Sequence, residues 1–231
     1  MKTTTLILLA VLFVGMAFAA PQGPTITYNS TETPTAAEAA SITTAGGSFT
    51  TLLLNGSTQT GRWKAYVGNI TGKFTLDDAS GYSIYDWELA TITGEVYASR
   101  NGSVSFSSVA CSTPAEMVQE DTDLNPGTPR EDSINRTFNQ TVHRSFLVGT
   151  TNITASDCPS IATYVNGAPQ APTENADFQE VLITAGSSIV YTSLLEDDQS
   201  GYNNDQFDFQ MIVAESELAG PSPYYFWVEL G

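Results

Sequence analysis

The sequence predicts an all-β domain, an antiparallel two-sheet sandwich, jelly-roll-like, with a short helical insertion. Three observations carry this. Apolar residues alternate with polar ones in short runs, Gly and Asn separate the runs, and a single stretch carries helix-start signals. At 231 residues the chain is long enough to bury one substantial core.

Residues 1–19 read as a signal peptide. Lys2 supplies the positive start, Leu6 to Phe18 the apolar run, and Ala17-Phe18-Ala19 the small residues of a cleavage site. Cutting after Ala20 would leave Pro21 directly behind the cut, so cleavage is expected after Ala19. The apolar run falls short of the roughly 20 residues of a spanning helix, and no membrane span is expected in the mature chain. Residues 20–47 form an extended segment and linker. Pro21-Gln22-Gly23-Pro24 is stiff, Ile26-Thr27-Tyr28 is strand-sized, and Ser30 to Gly47 is rich in Thr, Ala, Pro and Gly, with little to bury.

The sandwich is expected over residues 48–231. Its first strand reads as Phe49 to Leu54, closed by Asn55-Gly56. Arg62 to Val67 puts Trp63 and Ala65 on one face and Lys64 and Tyr66 on the other. Lys73 to Leu76, Ser83 to Leu89, Glu95 to Ala98 and Val104 to Ser107 continue the series. Later strands are expected at Ser145 to Val148, Ile161 to Val165, Phe178 to Thr184, Ile189 to Leu195, Phe207 to Val213 and Tyr224 to Leu230. In the last two, Phe207, Phe209, Met211 and Val213 mark one face, as do Phe226, Val228 and Leu230.

Between the cysteines the pattern breaks. Thr113-Pro114-Ala115-Glu116 is a capping box with Pro at the first helical position, so a helix should run to about Asp121. A second turn should start at Asp132 or Ser133 and reach about Phe138. This polar insertion, residues 111–158, looks short of core. A disulfide between Cys111 and Cys158 would staple it, as a lone cysteine pair in a secreted chain predicts.

Asp and Glu number 25 against 8 Lys and Arg, which gives a net charge of −17. With no basic patch to displace counterions from phosphate, nucleic acid is excluded as a partner, and an anionic membrane surface is disfavoured. Hydroxyls and sugars are expected to keep the surface wet instead. Sequons fall at Asn29, Asn55, Asn69, Asn101, Asn135, Asn139 and Asn152, more than chance gives in a chain with 12 asparagines.

Catalytic motifs are absent from the sequence: there is no G-x-S-x-G elbow, H-E-x-x-H helix or P-loop, and His143, beside a sequon, is expected to be exposed. Paired carboxylates would suffice for glycoside hydrolysis, and Asp86, Glu88 and Glu95 lie on adjacent expected strands near Trp87 and Tyr97. The plain alternative is a polar outer face backed by core aromatics. An internal echo, Asp77-Asp78-Ala79-Ser80-Gly81-Tyr82 and Asp197-Asp198-Gln199-Ser200-Gly201-Tyr202, reads as two hairpin turns with Gly at positive φ. The sharper reading is calcium, with Asp77, Asp78, Asp197, Asp198 and Asp205 as hard-oxygen ligands. No other cofactor is called for.

Arg62 to Gly72, Tyr85-Asp86-Trp87 and Gly94 to Arg100 resemble a family of secreted archaeal all-β surface proteins with no assigned activity. Asp208 to Val213 and Tyr224 to Leu230 fit the same likeness, which covers most of the mature domain. It implies an archaeal envelope or extracellular setting. The sequence thus points to an extracellular structural or interaction glycoprotein, a filament or coat subunit assembling by donation of Ile26-Thr27-Tyr28 to a neighbour's sheet edge. Its partners would be other copies of itself, surface proteins or glycans. The alternatives are a secreted carbohydrate-binding module using Trp87 and Tyr97, and a carboxylate-dependent glycoside hydrolase.

Overall fold

The computed structural model describes residues 20–27, 30–127, 130–218 and 220–231. Residues 1–19, expected to be a signal peptide, lie outside them, as do Tyr28 and Asn29.

In chain order the elements are β1 (Trp63–Gly68), β2 (Lys73–Asp77), β3 (Ser83–Glu88), β4 (Gly94–Ser99), β5 (Val109–Cys111), α1 (Pro114–Leu124) and α2 (Ile134–Thr137). Then come β6 (Phe146–Val148), β7 (Thr151–Ile153), β8 (Ser160–Ala162), β9 (Gln179–Ala185), β10 (Ser188–Leu194), β11 (Gln199–Ser200), β12 (Gln206–Phe207), β13 (Phe209–Ala214) and β14 (Tyr225–Leu230). The main sheet has six strands in the order β14-β4-β10-β9-β5, with β8 also paired to β9. Its pairings are antiparallel throughout.

The centre of that sheet is the β9–β10 hairpin. Ala185 and Ser188 pair across a two-residue loop, and Gly186 supplies the positive φ (65°) such a loop needs. Every side chain of β9 is buried, so this sheet is covered on both faces. On one face Val96, Ala98, Leu182 and Tyr191 pack against Met211 and Val213 of β13, which pairs with β1. On the other, Tyr97, Val181, Ile183, Val190 and Leu194 meet Phe146, Val148 and Ile153 of the β6–β7 hairpin. Each such apolar side chain contributes about 1.5–3 kcal/mol on burial. Phe226, Val228 and Leu230 lie against the first core, as their alternation predicts, and Trp227 against the second.

Both helices start where the sequence places them. Thr113 accepts from the Glu116 N–H while Glu116 accepts from the Thr113 N–H, so the capping box closes both ways. The first helix runs on to Leu124 and stops before Asn125-Pro126-Gly127. The insertion is not short of core, however. Met117, Leu124, Ile134 and Phe138 are buried in the first core, and Phe138 meets Trp63 and Tyr191 at ring-centroid distances of 6.1 Å. Apolar positions seven apart on one helix face had hidden among polar neighbours.

Two expected strands do not form. Residues 48–59 carry no helix or strand and are exposed throughout, so regular structure begins at β1 and not at residue 48. Residues 104–107 also leave the strand conformation, although Val104 and Phe106 pack on the second core. Phe207, expected on one face with Phe209, sits instead in the separate β11–β12 ribbon.

Candidate functional site

Strand β14 is the outer edge of the main sheet, and the N-terminal segment touches it. Gln22 pairs with Val228 through both main-chain bonds, Gln22 N–H to Val228 O at 3.0 Å and Val228 N–H to Gln22 O at 2.8 Å. The bridge is one residue long, and Pro24, at the next position facing β14, has no N–H to continue the ladder. Ile26 and Thr27 lie beyond it, exposed and outside any strand. Tyr28, the third residue of the expected assembly strand, is outside the described residues.

The β2–β3 ribbon stands apart from the main sheet and pairs only with itself. Phe74 is opposite Trp87 and Leu76 opposite Tyr85, so these four share one face. That face is open, with Phe74 37 %, Leu76 55 %, Tyr85 61 % and Trp87 49 % exposed. The reverse side carries Lys73, Thr75, Asp86 and Glu88 with the exposed Ile84, and Lys73 pairs there with Asp86. Asp86 and Glu88 therefore sit on this ribbon, away from Glu95, which lies on β4 of the main sheet. The expected adjacency of the three carboxylates fails because β3 turns back on β2 and never meets β4. Tyr97 and Trp87 part likewise: Tyr97 is fully buried, whereas Trp87 is half exposed.

The echoed Asp-rich segments are not structurally equivalent. In the first, Asp78 Oδ1 accepts from the Ser80 and Tyr82 N–H groups at 2.8 and 2.9 Å, and Gly81 takes a positive φ of 81°. In the second, the positive φ falls on Asp198 (51°), and Gly201 is packed against Phe207. Asp77 accepts from Ser83 and Thr75, Asp197 from the Ile92 N–H, and Asp205 from Asn203. Among the described residues no group of three or more His, Cys, Asp or Glu side chains is arranged to hold a metal ion.

A carboxylate pair that sequence reading missed lies in a cleft of about 350 Å³. Glu95 on β4 and Glu229 on β14 are direct cross-strand partners, 8 % and 6 % exposed, on the Tyr97 side of the sheet. Tyr97 donates to Glu229 Oε2 at 2.8 Å, and the Gly149 N–H of the β6–β7 turn donates to Glu229 Oε1 at 2.9 Å. Burial first, then the Glu229 charge, pushes the Glu95 carboxyl up to about 8, so near neutrality it carries its proton. The Glu229 carboxyl is also raised by burial. An acid in an otherwise apolar strand was the one visible signal for Glu229; its partner depends on register, which the sequence does not print. The arrangement ties a hairpin to the sheet edge, since Glu229 spends its oxygens on Tyr97 and the Gly149 backbone.

His143, expected on the surface, is fully buried. Its Nε2 accepts from the Asp157 and Cys158 N–H groups at 3.2 and 3.0 Å, leaving Nδ1–H to donate to Arg144 O at 2.8 Å. It positions the loop carrying Cys158. The Cys111–Cys158 disulfide is formed, with a Cα–Cα distance of 4.8 Å. The sequon residues Asn55, Asn69, Asn101, Asn135, Asn139 and Asn152 are all exposed, whereas Asn125, outside any sequon, is buried and bonded to Glu215 and Glu217. No helix among the described residues is long and apolar enough to cross a membrane.

These features define a disulfide-stapled all-β sandwich with an open strand edge. No family model, curated protein or solved structure matches this chain.

Proposed function

We propose that the chain is an extracellular structural glycoprotein whose copies join by strand pairing at the open edge of the main sheet. The observation that carries this reading is the two-bond bridge between Gln22 and Val228. It marks β14 as an edge with main-chain groups to offer, and the N-terminal segment as a strand within reach of it. A pairing one residue long, stopped at Pro24, is weak in its own chain. A neighbour's segment centred on Ile26 and Thr27 would lay a longer ladder on the same edge. A bare edge in an exported protein is an aggregation hazard, and regular donation removes it.

Surface chemistry supports an exterior setting. A disulfide suits an oxidising compartment, and the described sequons lie where bulky glycans fit. The test is deletion of residues 21–31, followed by imaging of cell surfaces and of purified protein. Filaments or coat patches present with the parent chain should disappear, with the domain still folded. Assembly that survives the deletion would remove the proposal.

A further inference from the structure

Two apolar stretches stand out as exposed among the described residues. One is the Phe74, Leu76, Tyr85 and Trp87 face of the β2–β3 ribbon. The other is the segment Phe49 to Leu54, in which Phe49 is 95 %, Leu52 53 %, Leu53 98 % and Leu54 84 % exposed, with no strand formed. We propose that the second completes the first between copies: Phe49–Leu54 of one chain adds as a third strand to the β2–β3 ribbon of another, setting its own apolar side chains beside that face. This rests on the reading of the chain as an assembling subunit, but uses a different donor and a different acceptor.

The physics of each piece asks for the other. A two-stranded ribbon is at best marginally stable in water, and three strands with an apolar face are needed to hold. The ribbon lacks its third strand, and the segment is a strand-length run of β-compatible residues lacking a sheet. Charge points the same way. Residues 48–60 contain no charged side chain, and neither do the four residues of the open face, in a chain of net charge −17. Two such acidic copies can approach closely only through surfaces of this kind. On a paired strand alternate residues share a face, so two apolar side chains of the segment, Phe49 with Leu53 or Leu52 with Leu54, line up beside the four of the ribbon.

Within one chain the geometry resists. The segment precedes β1 and the ribbon follows it, so they stand at opposite ends of a strand about 20 Å long. Thr60 is pinned by its bond to Asp132 at 2.7 Å and by the Arg62 N–H at 3.1 Å. Only residues 55–59 are left to turn back, and they reach about 20 Å at full stretch. A second copy needs no such extension.

The test is light scattering and sedimentation of the exported chain over a wide concentration range, alone and with Leu53→Asp, Leu76→Lys or Trp87→Ser. All three positions are exposed, so thermal melts of dilute protein should match the parent. The parent should associate as concentration rises. Each variant alone should associate at least tenfold more weakly, and mixing Leu53→Asp with Leu76→Lys chains should restore pairing, because the intact segment of one chain then meets the intact ribbon of the other. A parent that stays monomeric, or variants that associate as the parent does, would overturn the inference. So would a monomeric chain whose glycan-array signal is lost in Trp87→Ser, which would make the face a sugar platform. The residue 21–31 deletion separates the two proposals. Association lost there but kept in Leu53→Asp contradicts this inference and leaves the β14 edge in place; the reverse result supports this interface and contradicts the other.

Discussion

The β9–β10 and β2–β3 hairpins share an antiparallel pairing and met opposite fates. β2 alternates apolar and polar residues, whereas β9 and β10 carry the continuous apolar runs Val181–Ile183 and Ile189–Tyr191. In β9 every side chain is buried, because β13 and the helices close one face and the β6–β7 hairpin the other. In β2 and β3 every residue is exposed. A continuous apolar run therefore marks a strand covered on both faces, whereas alternation specifies a ribbon and its two faces without saying what covers the apolar one. For β9–β10 the cover comes from the same chain. For β2–β3 the proposed third strand comes from another.

This contrast can be broken from its closed side first. Replacing Cys111 and Cys158 by serine releases a loop with a sequence separation of 47 and should cost about 4 kcal/mol in denaturant melts. Leu182→Ala, in the fully buried strand, should cost about 3 kcal/mol. The equivalent truncation on the open ribbon, Leu76→Ala, should stay within about 0.5 kcal/mol for dilute monomer. A large loss there would mean the ribbon is already covered.

The acid pair sharpens the comparison through pH. Glu95 titrates at about 8 in the fold against an ordinary 4.5, so between those values the folded chain keeps a proton that the unfolded chain has lost. Stability from this group is therefore full below about 4.5 and declines as pH climbs to 8. Burial shifts Glu180 and Glu196 in the same direction. Melts at pH 5 should thus lie above those at pH 8, and Glu95→Gln should flatten part of that slope. A slope of opposite sign would show that Glu95 is ionised and paired in the fold. The smallest effect is expected for Trp87→Ala, whose monomer melt should move by less than about 0.5 kcal/mol.

Much of the fold was legible. The capping box at Thr113 and Glu116, the apolar alternation of Tyr225–Leu230 and the cysteine pair each have a local cause, and local causes can be read along a chain. What escaped was long-range. The Glu95–Glu229 pairing depends on strand register, the burial of His143 on a loop 15 residues away in sequence, and the burial of Met117 and Phe138 on which side of the sheet the insertion falls. Phe49–Leu54 misled in the other direction: it has the composition of a strand and forms none in its own chain.

Hydrogen exchange resolved by segment tests the contrast most directly. Amides of β9 and β10 should be protected at every protein concentration. Those of β2, β3 and residues 49–54 should exchange freely in dilute protein and slow together once copies associate. Protection of β2 and β3 at high dilution, or association that leaves their exchange unchanged, would contradict an open ribbon awaiting a partner strand.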